Sequence, residues 1–138
     1  MSFTADARVL THAGTLAMLQ AAAAKADEIG QPQCIVIVDA SGETLGELRM
    51  SGAKFLSRLS AMAKAQTAAS IRGASASVPE HMKKPLASAT GGKVTALPGG
   101  LPIFKDGFLL GGIGIGSGTG EQDVIVATAA LEAIGADT

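Results

Sequence analysis

Three glycines at alternate positions, Gly112, Gly114 and Gly116, constrain most strongly how this chain can fold. Ile113 and Ile115 separate them, so a strand through this segment has one face of bare backbone and one apolar face. Glycine inside a strand lowers stability and is typical of places where another group approaches the backbone closely. The pattern predicts either a closely packed helix or a flat ligand or substrate against the bare face.

The surrounding stretch, GGIGIGSGTGEQD at 111–123, does not match the known phosphate-binding loops. A G-x-G-x-x-G pattern that starts at Gly112 needs glycine where Ser117 stands, and one that starts at Gly114 needs glycine at Thr119. The stretch also contains no lysine, which a P-loop requires. We therefore expect no nucleotide cradle here.

The polar end of the stretch has the pattern of a helix start. Thr119 followed three residues later by Gln122 predicts a capping box for a helix over 120–134. Glu121 and Asp123 would then lie at the positive end of that helix. The alternative is that Glu121 or Asp123 acts as an acid or base beside the glycines.

The remaining pattern alternates helices with groups of short strands. Hairpin-joined strands with helices between the groups favour an α+β fold with an antiparallel sheet over repeated βαβ units. A length of 138 residues predicts one domain, 1–138. The predicted elements are helix 4–29 (capped by Thr4 or Asp6), strands 34–39 and 44–50, helix 54–70, a long loop 71–93 with a short helix at 80–89, two or three strands within 94–117, and helix 120–134.

Composition excludes several classes of partner. The net charge is −1 and aromatic residues make up 3% of the chain, so we expect no nucleic-acid binding. No apolar run reaches the roughly 20 residues that span a bilayer, and the first residues lack the pattern of a secretory signal. These features predict a cytoplasmic protein with no membrane partner. The one cysteine, Cys34, lies in an apolar strand pattern and is predicted to be a buried, inert thiol.

Several stretches in series resemble the GlcG/HbpS family of small haem-binding proteins, which includes the C-terminal domain of PduO-type cobalamin adenosyltransferases. GGLPIFKDGFLLGGIGIGSGTGEQD at 99–123 is similar to the family's C-terminal signature. VIVDASGETLGELRMSGA at 36–53 resembles its hairpin, and AKAQTAA at 63–69 resembles a motif in its second helix. The chain differs in having Gly116-Ser117-Gly118 where the family more often has Ser-Gly-Gly.

This resemblance implies a fold, an assembly and a ligand. It implies a profilin-like sandwich, in which a five-stranded antiparallel sheet has helices on both faces, and a homo-oligomer between a dimer and an octamer. It also implies binding of haem or a related tetrapyrrole, with slow haem degradation in some members. The implied pocket lies between the glycine-faced strand, a helix and the loop that contains Gly99, Gly100 and Pro102.

His12 is the histidine of most interest. It shares a helical face with Val9, Leu16 and Leu19, so we expect it to face inward. A histidine in this position is either a core or interface residue or an axial ligand of haem iron. The resemblance favours a ligand, since PduO-type relatives are similar in taking a histidine from their N-terminal helix.

Other polar residues are candidates for holding a carboxylated ligand. Arg49 lies on one strand face with Glu47, and Lys64 and Thr67 lie within one turn of the second helix. His81 lies in the long loop beside two lysines, Lys83 and Lys84, which could pair with a carboxylate or a haem propionate. For each residue the alternative is ordinary surface chemistry. No spacing of His, Cys or carboxylates predicts a dedicated metal site.

Two functions from different classes fit these residues. The first is an oligomeric carrier of haem or a related tetrapyrrole. The second is a small cofactor-free isomerase or tautomerase, or an accessory enzyme of a catabolic operon, acting on a carboxylated substrate. In that enzyme Arg49 or Lys64 would hold the substrate, and His81, Glu121 or Asp123 would move a proton.

Overall fold

The chain forms a four-stranded antiparallel sheet with helices on both faces, in a computed structural model that describes residues 1–138. The strand order across the sheet is β2-β1-β4-β3. The elements are α1 (His12–Glu28), β1 (Cys34–Asp39), β2 (Thr44–Arg49), α2 (Ser57–Ile71), α3 (Lys83–Ala89), β3 (Gly100–Lys105), β4 (Phe108–Gly116) and α4 (Gly120–Ala133), with 3₁₀ turns at Ser75–Ser77 and Glu80–Met82.

The predicted α+β architecture is confirmed, but the sheet has four strands and not five. The segment 94–98 lies outside the sheet because side chains bind its backbone. Thr95 donates its N–H to the Thr67 hydroxyl at 3.0 Å, and the Leu97 carbonyl accepts from the Ser75 hydroxyl at 2.6 Å. These bonds occupy backbone groups that a further strand would need for its ladder.

One face of the sheet packs against α2 through small residues. A Cβ added to Gly114 would overlap the Ala61 carbonyl, and one added to Gly112 would overlap the Ala65 carbonyl. A Cβ on Gly116 would lie 2.6 Å from the Ser57 carbonyl oxygen. Of the two alternatives for the bare strand face, the observed one is therefore close packing of a helix.

The opposite face of the sheet carries the larger part of the core. Ile113 and Ile115 of β4 are fully buried there, together with Ile35 and Ile37 of β1. They pack with residues of α1 and α4, including Met18, Ala22, Val126, Ala127 and Leu131. The alternation of glycine and isoleucine along β4 thus places a close-packed helix on one side and a conventional aliphatic core on the other.

The first helix begins later than predicted. It starts at His12, and the Thr11 hydroxyl caps it by accepting the Gly14 N–H at 3.1 Å. The predicted caps, Thr4 and Asp6, lie outside the helix. The chain before the helix is instead held by Arg8, which lies 4.6 Å from the centre of the Phe108 ring and 3.3 Å from Asp106.

The buried face of α1 also differs from the prediction, and the buried face of α2 consists mostly of small residues. α1 buries Thr15, Met18, Ala22 and Ala26, and leaves Leu16 exposed. α2 buries a stripe of mostly small residues instead of Phe55 and Leu59, both of which are exposed. The reason lies in β4. The face of this strand that packs on α2 carries no side chains, so the helix lies so close that alanine fits and leucine does not. The buried residues of α2 are Ala61, Lys64, Ala65, Thr67, Ala68 and Ala69.

Predictions with strong local signals are confirmed. β1 occupies the predicted 34–39, α4 begins with the Thr119–Gln122 capping box, and a short helix occupies 83–89 in the long loop. No helix in the structure combines the length and the apolar character needed to cross a membrane.

Candidate functional site

Lys64 and Asp123 form a buried ion pair between helices on opposite faces of the sheet. The Lys64 Nζ lies 2.9 Å from Asp123 Oδ2 and donates to the Ile115 carbonyl at 2.7 Å. The other carboxylate oxygen, Oδ1, accepts the Gly118 N–H at 3.1 Å. The side chains are 6% and 2% exposed. The pair therefore joins the AKAQTAA motif of α2 to the EQD motif of α4 past the end of β4.

Glycines allow the ion pair to be packed this tightly. A Cβ on Gly99 would lie 2.8 Å from the Asp123 Cβ and 3.2 Å from the Lys64 Nζ, and Gly99 also has a φ of +116°. A Cβ on Gly100 would overlap the Lys64 carbonyl. The close packing around Lys64 therefore explains why residues 99 and 100 are glycines. Pro102, the third residue predicted for this loop, lies half-buried on β3.

A small, polar pocket opens beside the ion pair, and we call it the ion-pair pocket. Its volume is about 240 Å³. The first turn of α2 and the start of α4 form two of its walls, and the segment before β3 forms a third. It is lined by Lys54, Ser57, Ser60, Lys64, Leu97, Pro98, Ser117, Gly118, Gly120 and Asp123.

Ser117 lines this pocket in a backbone conformation that non-glycine residues rarely adopt. Its φ is +95°, and a side chain in this region costs energy that surrounding contacts must offset. The Ser117 hydroxyl accepts the Lys54 N–H at 3.0 Å, and its carbonyl accepts from the Gln31 amide at 3.1 Å. The serine that departs from the family pattern thus fixes the segment leading into α2.

Thr67 is buried but is already used in holding a loop. Its hydroxyl donates to the Lys93 carbonyl at 3.1 Å and accepts the Thr95 N–H at 3.0 Å. A second polar cavity of about 410 Å³ lies beside it, between α2 and the β1–β2 turn. Lys64 and Thr67 therefore make separate internal contacts and do not form one carboxylate clamp.

His12 faces outward, which corrects the prediction that it faces inward. It is the first residue of α1 and is exposed, and its imidazole makes no hydrogen bond. Val9 is 81% exposed and Leu16 is 63% exposed. We call the surface formed by Val9, His12 and Leu16 the His12 face. It lies beside the buried stripe of α1 instead of coinciding with it.

A cavity of about 290 Å³ adjoins the start of α1. Its apolar lining includes Val9, Leu10, Leu110 and Ile134, and its charged lining residues are Arg8, Lys105 and Asp106. Arg8 is paired with Asp106, so the residues next to His12 provide apolar surface together with one cation, Lys105, that has no carboxylate partner.

The other candidate residues are not brought together. Arg49, His81 and Glu121 are exposed, and no hydrogen bond or ion pair links them to Lys64 or Asp123. Glu47 is 3.6 Å from Arg58 and not paired with Arg49. Within the structure there is also no group of three or more His, Cys, Asp or Glu side chains that could hold a metal ion.

Cys34 is buried, as expected from its position in an apolar strand. Burial raises the pKa of the Cys34 thiol above its ordinary value, against the opposing effects of Arg49 and Arg58. Its Sγ lies 3.5 Å from the Lys54 carbonyl, to which it donates. The thiol is thus kept in its neutral, unreactive form at neutral pH.

Comparison with known protein families shows which family this chain belongs to. The model of the family described as "Haem degrading protein HbpS-like" matches residues 10–132. The chain belongs to the HbpS-like family. The match covers the four α-helices and the four strands. It runs from Leu10, the residue before the α1 cap, to the last turn of α4.

Individual members of the HbpS-like family are similar over most of this chain. The corrinoid adenosyltransferase PduO of Citrobacter freundii is 37% identical over 126 residues, which are 88% of the chain and 38% of the transferase. This chain therefore spans only about 38% of the length of that curated relative.

Two solved structures have nearly the same fold. The Klebsiella pneumoniae protein ORFY is 26% identical with a TM-score of 0.92, and the match covers 100% of this chain and 99% of that one. The PduOC:heme complex is 32% identical with a TM-score of 0.88, and the match covers 95% and 99% of the two chains.

Sequence reasoning missed two residues of the site. Ser75 accepts the Gly100 N–H at 2.9 Å and donates to the Leu97 carbonyl, so it positions the segment that packs on Lys64. Gln33 is fully buried, and neither atom of its amide has a hydrogen-bond partner. A lone serine in a loop gives no signal, but a glutamine directly before an apolar strand is a polar residue that the fold must bury.

Proposed function

We propose that this protein binds haem or a related tetrapyrrole on the His12 face, with the His12 imidazole as axial ligand. The observation that carries the proposal is an exposed histidine without a hydrogen-bond partner between two exposed apolar side chains. Such an imidazole has a free nitrogen for iron, and it lies where a flat apolar ring would cover Val9 and Leu16.

The residues around His12 fit a haem group. The apolar residues that line the adjoining cavity extend the surface on which the ring could lie, and Lys105, which has no carboxylate partner, suits a carboxylate such as a propionate. Bound haem would supply an iron centre, and the chain itself would orient the ring and hold its carboxylates. Haem in the PduOC:heme complex, a structure with the same fold, adds support.

The proposal is limited to binding. Because the chain spans 38% of the matched transferase, adenosyl transfer is not assigned to it. Degradation of bound haem is a separate question. It would be measured as a loss of haem absorbance with time after a reductant is added to the protein–haem complex.

Titration with hemin, followed by absorbance spectroscopy, tests the proposal. The wild-type protein is expected to give a saturable shift of the Soret band. His12→Ala should lose this shift or require much more hemin. The chain has two histidines, so His81→Ala is the matched control and should behave as wild type.

Folding of the variant needs a parallel measurement. Since His12 is exposed and makes no hydrogen bond, His12→Ala should unfold at the wild-type temperature. A wild-type spectrum identical to that of free hemin would contradict the proposal, as would an unchanged titration of His12→Ala.

We also propose that the protein is a homo-oligomer. Phe55, Leu56 and Leu59, at the start of α2, are 68%, 64% and 61% exposed. Contiguous exposed apolar residues of this size are typical of interaction surfaces. Sedimentation velocity should give a mass above that of one chain, and Leu59→Ser should lower it; a wild-type monomer would contradict this proposal.

A further inference from the structure

The ion-pair pocket has features that the proposed haem site does not use. Most of its lining residues are polar or glycine, and its charged groups are Lys54, Lys64 and Asp123. It lies at the starts of α2 and α4, whereas the His12 face lies at the start of α1. The pocket is thus a separate place where a small molecule can contact the protein.

The acidic group of the pocket is already neutralised. Both oxygens of Asp123 accept hydrogen bonds, one from Lys64 and one from the Gly118 N–H. Lys54 has no carboxylate partner, and its Nζ makes no hydrogen bond. The two lysines and one aspartate leave one positive charge in excess on a chain whose net charge is −1.

The groups that remain unpaired in the pocket are donors. The Nζ of Lys64 has three N–H bonds and donates to two acceptors, Ile115 and Asp123. The capping box uses the N–H groups of Thr119 and Gln122. The N–H of Gly120, the first residue of the 14-residue helix α4, has no partner. Unpaired N–H groups at such a position favour negative charge.

Gln33 adds an independent observation. Its side-chain amide is fully buried without a partner, which carries an energetic cost. The amide nitrogen lies 2.7 Å from the position of a Cβ on Gly118, a residue that lines the pocket. The unpaired amide of Gln33 thus lies behind Gly118 and does not itself line the pocket.

We propose that the ion-pair pocket binds a small anion, a short carboxylate or a phosphate. Lys54, the third N–H of Lys64 and the N–H of Gly120 donate to it, while Ser57 supplies a hydroxyl on the α2 side. The volume of about 240 Å³ suits a small anion, since it lies below the roughly 300–1,000 Å³ of pockets for drug-sized ligands. A small metabolite with a carboxylate or phosphate group and free inorganic phosphate would both present negatively charged oxygens to these donors.

Amide NMR with defined probes tests the proposal at constant ionic strength. Acetate and inorganic phosphate are titrated separately, and acetamide is the uncharged control of the same shape as acetate. Saturable shifts of the Gly118 and Gly120 amides are expected with at least one of the anions and not with acetamide. Which anion binds more tightly distinguishes a carboxylate from a phosphate site.

Two lysine variants show whether the pocket is responsible. Lys54→Gln is expected to weaken binding by about tenfold, as loss of one charge-assisted hydrogen bond predicts. Lys93→Gln is the control, because Lys93 is also exposed without a carboxylate partner but lines the other polar cavity. Both lysines are on the surface, so both variants should fold.

The outcomes separate this proposal from haem binding. His12→Ala should bind the anion as wild type does, because the His12 face is not part of the pocket. The proposal is overturned if neither anion gives saturable shifts, if acetamide gives the same shifts, or if Lys54→Gln and Lys93→Gln bind equally well.

Discussion

The two faces of the sheet are packed by opposite means. On the α2 face, Gly112 and Gly114 contribute no side chain, and helix backbone lies directly on strand backbone. On the other face, Ile113 and Ile115 are fully buried against α1 and α4. Five consecutive residues of one strand therefore specify both arrangements, and the side-chain period of two keeps them apart.

This difference decides where a small molecule can bind. Because α2 fills the space that the glycines leave, a ligand cannot lie against the bare face of β4. The remaining places are the ends and outer surfaces of the layers, and two of them are the ion-pair pocket, where α2 and α4 meet past the end of β4, and the His12 face on the outside of α1. Each is rich in one kind of group, charged donors in the pocket and apolar side chains on α1.

Breaking the contact that joins the two layers should have the largest effect. Lys64→Met leaves the buried Asp123 carboxylate without its partner, which typically costs about 3–5 kcal/mol. The double variant Lys64→Met/Asp123→Leu should recover most of this loss, because an apolar pair carries no desolvation cost. Urea unfolding of the three proteins measures the effect; a Lys64→Met variant of wild-type stability would contradict it.

Adding one methyl group to the α2 face should have the next largest effect. Gly114→Ala places a Cβ against the Ala61 carbonyl, so α2 must move, at a cost of about 3 kcal/mol. Gly73→Ala is the control, because its Cβ would meet only ordinary contacts, the nearest at 3.5 Å. Thermal unfolding should therefore separate the two variants clearly, and equal midpoints would show that the glycine face is not closely packed.

Removing one methyl group from the opposite face should cost less. Ile113→Val leaves a small void in a core of branched side chains, for which about 1 kcal/mol is typical. Urea unfolding compares it with Gly114→Ala, the next residue along the strand. If the loss for Ile113→Val exceeded that for Gly114→Ala, the proposed difference between the faces would be wrong.

The smallest effect concerns Cys34. Burial raises the pKa of its thiol, so the folded protein binds this proton more tightly than the unfolded chain. The resulting stabilisation is present below the thiol pKa of the unfolded chain and is lost as pH rises through the folded-state pKa. Alkylation by iodoacetamide should be slow in the native protein and fast after unfolding; equal rates would show that the thiol is accessible.

Local sequence signals predicted those parts of the fold that local interactions determine. The capping box at Thr119, the apolar run of β1 and the alternation in β4 are each read from neighbouring residues. The start of α1 was placed too early because Thr4 and Thr11 are both acceptable caps. In the structure Thr11 is the cap, and Arg8 before it contacts Asp106 and Phe108, which are distant in sequence.

The candidate site was predictable only in part. Lys64 and Asp123 were both identified as polar residues of interest, but they are 59 positions apart in the sequence and nothing in the intervening residues indicates that they meet. His12 was assigned to an apolar face, and that face exists, but it is exposed because the core of α1 uses Thr15, Met18 and Ala22. Periodicity finds an apolar stripe, whereas the partner surface determines which stripe is buried.

The location of bound haem tests the central claim most directly. Ferric haem broadens the amide NMR signals of nearby residues, and zinc protoporphyrin is the diamagnetic control. We predict that broadening is centred on residues 9–19, around His12, while the signals of Ser57, Gly118 and Gly120 in the ion-pair pocket remain sharp. Broadening centred on those three residues, with residues 9–19 unaffected, would contradict the account.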